Sequence, residues 1–398
     1  MTLRRILTAA AAAALLASTA QPALAQAQPK LREAQIRPAV SSVEGGLWDM
    51  SDQMENHVKA SAEVNKDPQL NAFVKTVLCK VATEYCGEMR LYVLDRPELN
   101  ASAAPNGYVD VNSGLLLRAA TEDELAFVLA HEVTHFARSH TLERYRQTKQ
   151  TATAGMILGM GLGIATGGGS LVSDLVYLGA IASLMSYNRE QEGEADTLGY
   201  GRATKAGYAK GAGAAMWSDV IAETRSSDFP KTRNSEARAS IFRTHPITAE
   251  RVAALQAMGG GDTARDVAAE KKYRAVIRPH LAAWLKDDLR RRDYGQSLYV
   301  IDRLSKLGED MGVLEFYRGE AYRQRRSEGD GAKALEAYKR AVASADVPVA
   351  AWRELGEAAR KAGDKAAARQ AFQTYLDRAP QAQDRWIVES SLKTVQES

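Results

Sequence analysis

Thr121-Glu122-Asp123-Glu124-Leu125-Ala126-Phe127-Val128-Leu129-Ala130-His131-Glu132-Val133-Thr134-His135-Phe136 reads as one buried amphipathic helix that carries most of a hydrolytic metal site. Thr121 and Glu124 have the spacing of a capping box, and Leu125, Leu129, Val133 and Phe136 form an apolar stripe at helical spacing. His131 and His135 are four residues apart, so on a helix both imidazoles stand on one face and reach a single ion. Glu132 between them is not a ligand. It is placed to take a proton, as general base, from a water acidified by zinc. With six histidines and at most 49 glutamates in 398 residues, composition alone yields roughly 0.01 such pentapeptides, so coincidence is a poor account of it.

The chain opens Met1-Thr2-Leu3-Arg4-Arg5, runs through an alanine-rich apolar stretch from Ile6 to Ala17, and reaches Ala23-Leu24-Ala25. That order is expected of a cleaved signal peptide over residues 1–25 and places the mature protein in the periplasm. Without Arg4 and Arg5 the formal charge falls from +3 to +1. Nothing in that balance calls for a nucleic-acid partner. About 370 residues then remain, enough to expect two domains. Cys79 and Cys86 are the only cysteines. On an unbroken helix they would be about 10.5 Å apart, beyond the roughly 7 Å limit for a disulfide. A bridge therefore needs the helix to end between them, and Gly87 fits such a stop. A structural disulfide is the expectation, with free thiols or zinc ligation as the alternatives.

Ser42 to Val81 reads as helical, with Leu70, Phe73, Val74, Leu78 and Val81 at helical spacing. Leu91–Leu94 and Gly107–Val111 read as buried strands. The small, polar run Asn100–Asn106 between them is either a loop or the sheet edge along which an extended substrate lies. Ala154 to Met185 is glycine-rich and apolar, and Gly167-Gly168-Gly169-Ser170 divides it into halves too short to span a bilayer. It is expected to form a helical hairpin that covers the active site, makes peripheral membrane contact, or supplies core helices. Gly259-Gly260-Gly261-Asp262 marks a change to charged, alanine-rich helical sequence. Trp352, Leu355, Gly356, Ala368, Phe372 and Pro380 fall on positions 4, 7, 8, 20, 24 and 32 of a 34-residue tetratricopeptide repeat. Gly319, Tyr322, Ala334 and Tyr338 repeat the pattern one unit earlier, and Ala283–Leu307 reads as a degenerate third pair. Repeats of this kind stack to bury their apolar faces and bind peptides or proteins on the concave side.

A catalytic zinc needs a third protein ligand. The best candidates lie in Glu192-Gly193-Glu194-Ala195-Asp196, where Glu192 and Asp196 share a helix face. One would ligate and the other would fix a histidine ring. Spacing alone does not choose among the carboxylates here; Glu190 and Glu194 are expected to point elsewhere, into solvent. His140 is expected to pack near the end of the zinc helix, and His57 and His280 on the surface.

His131–His135 followed by Glu192, Ala195 and Asp196 resembles the zinc metallopeptidase family that contains the HtpX and CAAX-prenyl proteases. The likeness runs from about Leu47 to Leu255 and includes Leu91–Asp95, Asn106–Leu116 and Glu122–Leu125. It implies His131, His135 and Glu192 as ligands of Zn2+, Glu132 as base and Asp196 as the carboxylate behind the ligands. Thr244-His245-Pro246 and Arg251 match a further family motif. By that likeness His245 reaches the zinc as an extra, restraining ligand, and Arg251 is a cation near a developing oxyanion. Signal peptide, soluble protease domain and repeats together are similar to a periplasmic branch of the family that combines protease and chaperone-like roles.

The expectation is an α+β, mainly α chain: a zincin-like metalloprotease domain with a small sheet over 42–258, then an α-solenoid of tetratricopeptide-type hairpins over 268–398. Its implied activity is that of a zinc endopeptidase in the quality control and assembly of outer-membrane or other envelope proteins. Unfolded or misassembled envelope proteins would be substrates, and the repeats would contact assembly machinery without building the active site. The alternative is a non-proteolytic assembly chaperone with a latent or structural zinc site.

Overall fold

The computed structural model describes residues 31–34, 36–149, 179, 181–234, 245–261 and 263–397. The expected signal peptide, Thr244 and most of the Ala154–Met185 hairpin lie outside these residues. The described part is mainly helical with one three-stranded sheet.

The helical stretch expected from Ser42 to Val81 is two helices, α1 (Val43–Lys59) and α2 (Pro68–Val81). The break is written in Asp67-Pro68. Asp67 caps α2 by accepting from the backbone N–H groups of Gln69 and Leu70, and Pro68 occupies the first turn, where its missing N–H costs nothing. The freed linker is used by the sheet: Asn65 N–H donates to the Val93 carbonyl at 2.9 Å, and Val64 bridges Leu94.

Strands β1 (Arg90–Leu94), β2 (Ala101–Ala103) and β3 (Tyr108–Asn112) lie in the order β1-β3-β2. β1 and β3 are parallel with Leu91 opposite Val109. β2 runs antiparallel to β3 with Ser102 opposite Asp110. Every residue of β3 is buried, as befits a central strand with apolar packing on both faces. The run Asn100–Asn106 thus contains an edge strand, and β2 has no second strand partner among the described residues.

After β3 come α3 (Ser113–Arg118), α4 (Glu122–Ala137), α5 (His140–Lys149), α6 (Arg189–Lys205), α7 (Ala212–Arg225), α8 (Pro230–Arg233) and α9 (Ala249–Gly259). The quoted stretch is α4. Thr121 Oγ1 accepts from Glu124 N–H at 3.2 Å, while the Glu124 carboxylate accepts from Ala120 N–H rather than from Thr121 as in a full capping box. Glu122, Asp123 and Glu124 place negative charge at the positive end of the helix dipole. Every residue from Glu124 to Ala137 is buried, against α2, α6, α7 and β2. A smaller core joins Leu47, Leu94, Tyr108 and Leu142 to Ile181, Leu184 and Met185, so these three residues at the described end of the apolar hairpin segment are core.

The remaining helices are α10 (Val267–Ile277), α11 (Leu281–Leu289), α12 (Tyr294–Ser305), α13 (Met311–Arg325), α14 (Asp330–Val342), α15 (Ala350–Lys361), α16 (Lys365–Arg378) and α17 (Arg385–Glu397). Consecutive members pack on one another from α13 onward. Gly319 and Gly356 let them approach: a Cβ on either would stand 2.3 Å from the Tyr338 ring or 2.4 Å from the Phe372 ring.

The glycine-rich boundary at 259–261 changes polarity but does not divide the packing. Tyr273, Ile277, Leu281, Trp284, Leu285, Val300, Ile301, Leu304 and Leu314 belong to the same core as Leu125, Leu129 and Val133. Polar ties follow the same line. Arg118 Nη2 donates to Glu223 and to Asp288, both at 2.7 Å. Ser297 and Arg291 also donate to Asp288. Burial raises the pKa of Asp288, but Arg118 and Arg291 outweigh it and hold the carboxyl well below its usual range. His280, expected on the surface, stacks on Trp284 at 5.0 Å between ring centroids and pairs with Asp67 at 3.0 Å.

Cys79 and Cys86 form a disulfide across the C-terminal end of α2, their Cα atoms 4.8 Å apart. Such a short loop limits its chain-entropy contribution to about 2.5 kcal/mol. Replacing both cysteines by serine is expected to lower urea-unfolding stability by no more than that. Arg118→Leu is expected to cost more, about 3–5 kcal/mol, because it strands two buried carboxylates. A chain ending at Thr263 should lack a single cooperative calorimetric transition, and a chain ending at Ser327 should keep it.

Candidate metal centre

Four buried side chains converge from three segments. His131 and His135 come from α4, Glu192 from α6, and His245 from the turn before α9. One ligand atom of each lies within 4.8 Å of all the others. The two histidine Nε2 atoms of α4 are 3.0 Å apart. His245 Nδ1 is 3.4 Å from His131 Nε2 and 2.8 Å from Glu192 Oε1. Glu192 lies 3.5 Å from His131 Nε2 and 3.7 Å from His135 Nε2. Donors 2.0–2.1 Å from a tetrahedral zinc stand about 3.3 Å apart, so this set has the right size. Its chemistry also fits: three imidazoles and one carboxylate, with no thiolate among the donors.

Glu132 is buried beside the cage, and its Oε1 has no hydrogen-bond partner among the described residues. His245 Nε2 is the near group, at 3.6 Å. An orphaned buried carboxylate oxygen is costly unless something outside the chain satisfies it. A water held between a metal and Glu132 would do so.

Asp196, one turn after Glu192, lies behind the cage rather than in it. Its Oδ1 is 3.0 Å from His131 Nδ1 and accepts from Trp217 Nε1 at 3.2 Å. Arg251 donates to Asp196 through Nε and Nη2, at 2.6 and 2.8 Å, and its Nη1 lies 2.7 Å from Glu192 Oε2. Nη1 also donates to the Pro246 carbonyl, which fixes the turn that presents His245. The two helices meet closely because position 199 is glycine. A Cβ there would stand 2.9 Å from the His131 backbone nitrogen.

The electrostatics follow from burial against pairing. Burial pushes the Glu132 carboxyl up and the His135 imidazole far down. Burial also raises Glu192, yet His245, His131 and Arg251 reverse that and keep it ionised. For His131, burial lowers the pKa, but Asp196 and Glu192 outweigh it and hold the ring up to about 9. An ionised Glu192, a neutral His135 and a pinned His131 form a site prepared for a cation.

Two neighbours were not assigned roles from sequence. Glu194, expected in solvent, lies 2.9 Å from His140 Nε2 and accepts from Arg138 Nε at 2.8 Å. Tyr187 stacks on His135, with centroids 3.7 Å apart and planes 9° apart. The signal for Glu194 was its position two residues after Glu192, with a histidine and an arginine just past the α4 motif. Nothing in the local sequence marked Tyr187.

Residues 64–259 match Peptidase family M48. The Beta-barrel assembly-enhancing protease of Escherichia coli (strain K12) is 24% identical over 260 residues, 63% of this chain and 51% of that protein. A Vibrio cholerae protein is 29% identical over 199 residues, 48% of this chain and 39% of its own length. The Mitochondrial metalloendopeptidase OMA1 of Schizosaccharomyces pombe is 28% identical over 166 residues, 42% of this chain and 45% of that protein. The chain thus spans about half or less of the length of these curated relatives. The matched segment begins at the linker before α2 and ends with α9, so it contains the whole cage and the sheet beside it. By this match and the site it encloses, residues 64–259 form a domain of Peptidase family M48, a family of metallopeptidases.

Proposed function

We propose that this chain is a zinc-dependent endopeptidase of the periplasm that acts on unfolded or misassembled envelope proteins during outer-membrane assembly. The observation that carries the reading is the buried cage of His131, His135, Glu192 and His245 with the orphaned Glu132 oxygen beside it. When bound, zinc supplies Lewis acidity that polarises a peptide carbonyl and acidifies a water. Glu132 takes the proton of the attacking water and delivers it to the leaving amine. The edge of β2, which has no second strand partner among the described residues and lies in a strand packed on α4, receives the substrate as an extra strand. Arg251 acts in this reading by holding Glu192 and Asp196, since its hydrogen bonds go to them and to Pro246.

The place in envelope assembly rests on the relatives named for β-barrel assembly and on the expected signal peptide. The paired helices α13 to α17, with their glycine-to-ring contacts at Gly319 and Gly356, support a tetratricopeptide-type surface for protein partners. We place its functional start after α12, because α10 to α12 give most of their buried apolar residues to the peptidase core, whereas Leu314 is the one fully buried residue of α13 in it.

His245 is the restraint. With it the cage has four protein donors, as a closed structural site has, whereas a working site keeps one position open. That same closure favours the second reading, a latent site in an assembly chaperone. The intact base beside the cage favours the enzyme.

Metal analysis should find one zinc per chain, sharply reduced by Glu192→Ala. Glu132→Gln should keep the metal and lower cleavage of an unfolded outer-membrane protein by at least about 100-fold. Unchanged cleavage would exclude Glu132 as base. His245→Ala should raise cleavage of the same substrate or of the chain itself. Lower cleavage at unchanged zinc content would instead give His245 a role in the reaction and remove the restraint.

A further inference from the structure

The two α4 histidines are backed in different ways. His131 Nδ1 meets a carboxylate directly, Asp196 at 3.0 Å. His135 Nδ1 meets a third imidazole, His140 Nδ1 at 2.8 Å, and His140 Nε2 meets Glu194 Oε2 at 2.9 Å. Glu194 is held in turn by Arg138 Nε at 2.8 Å. The turn that returns His140 onto the last turn of α4 is strained: Ser139 sits at φ 55°, a left-handed conformation that a side chain disfavours. His140 is 0% exposed, and its carbonyl accepts from Gln191 Nε2 on α6.

Proton bookkeeping along this line has one solution once a cation occupies the cage. His135 Nε2 faces the cage, so metal binding there leaves the ring's single proton on Nδ1. That N–H must donate to His140 Nδ1, the atom 2.8 Å away. His140 can accept there only when its own proton is on Nε2, and that N–H then donates to Glu194. The reversed order would point an N–H of His135 into the cage. The Tyr187 ring stacked at 3.7 Å sets the plane of His135, while the line of hydrogen bonds sets its rotation and tautomer.

We propose that His140 and Glu194 are positioning residues for the metal, an imidazole–carboxylate relay that holds His135 in its ligating tautomer. The inference rests on the reading of the cage as a zinc site. A histidine between ligand and carboxylate transmits orientation without placing a second carboxylate against the ligand ring. The two ligands are thereby unequal, His131 sharing a full charge and His135 a neutral acceptor. Partners behind a metal-bound histidine typically contribute 10–100-fold in metal affinity, so the relay is large enough to measure.

The test is zinc competition against a chromophoric chelator with the full chain, for wild type and for His140→Leu, His140→Asn and Glu194→Ala. Leucine keeps bulk but no acceptor, and should weaken zinc by about 10–100-fold. Asparagine can present Oδ1 where His140 presents Nδ1, and should recover most of that loss. Glu194→Ala, a change at a part-exposed site, should weaken zinc less than leucine does. A His140→Leu affinity within about threefold of wild type would overturn the proposal. So would an asparagine variant no tighter than leucine, since a merely structural role gives no such rescue. Absence of zinc binding in wild type would instead overturn the underlying reading of the cage.

Discussion

Burial of charge at the C-terminal half of α4 is the constraint on which the rest of this structure depends. That half of the helix is enclosed on all sides, and it carries two imidazoles and a carboxylate. In such surroundings an unpaired polar group is expensive. Each therefore recruits a partner from another element: His131 takes Asp196, His135 takes His140, and the cage takes Glu192 and His245. These partners then need their own. Arg251 answers two carboxylates of α6 at once, and Arg138 answers Glu194. The packing of α6 on α4, the turn at Pro246 and the strained residue Ser139 all follow from that demand. Glu132 keeps a buried oxygen without a hydrogen-bond partner among the described residues, and the proposed mechanism gives it the proton.

The same logic binds the helices after residue 266 to the peptidase domain. Arg118 is buried at the end of α3, and it is neutralised from both α7 and α11. Arg265 ties the start of α10 to Glu124 in the first turn of α4 and to Asp219 on α7. The metal helix is thus clamped at its N-terminal end by residues that belong, in sequence, to the following region. From α13 onward two clusters hold no residue from before that helix, one built on Phe316, Tyr338 and Leu355 and one on Phe372, Tyr375 and Val388, while Leu289, Leu298 and Ala321 join α11, α12 and α13 in a third.

Much of the site was legible because its signals are local. The α4 cap, the apolar stripe and the two histidines lie within one helix, where period alone places them. The pairing of Glu192 with Asp196 on a single face of α6 was legible for the same reason. The choice between them, and the reach of His245 into the cage, came from family likeness, since nothing local tells how a distant loop packs. What escaped the sequence was set by tertiary contact. Glu194 looked solvated because helix carboxylates usually are, and only the fold brings Arg138 and His140 to it. Asp67-Pro68 carried a break that the apolar periodicity of 42–81 masked. The glycine run at 259–261 marked a compositional boundary, whereas the core continues through it because Tyr273, Ile277 and Trp284 pack back onto the peptidase side.

The central claim is that three imidazoles and Glu192 enclose one zinc ion. Zinc K-edge X-ray absorption on the full chain, purified without added chelator, tests it most directly. The account predicts one zinc surrounded only by nitrogen and oxygen at about 2.0–2.1 Å, with outer scattering from three imidazoles that falls to two in His245→Ala. Scattering from sulfur, or a three-imidazole signal unchanged in that variant, would contradict it.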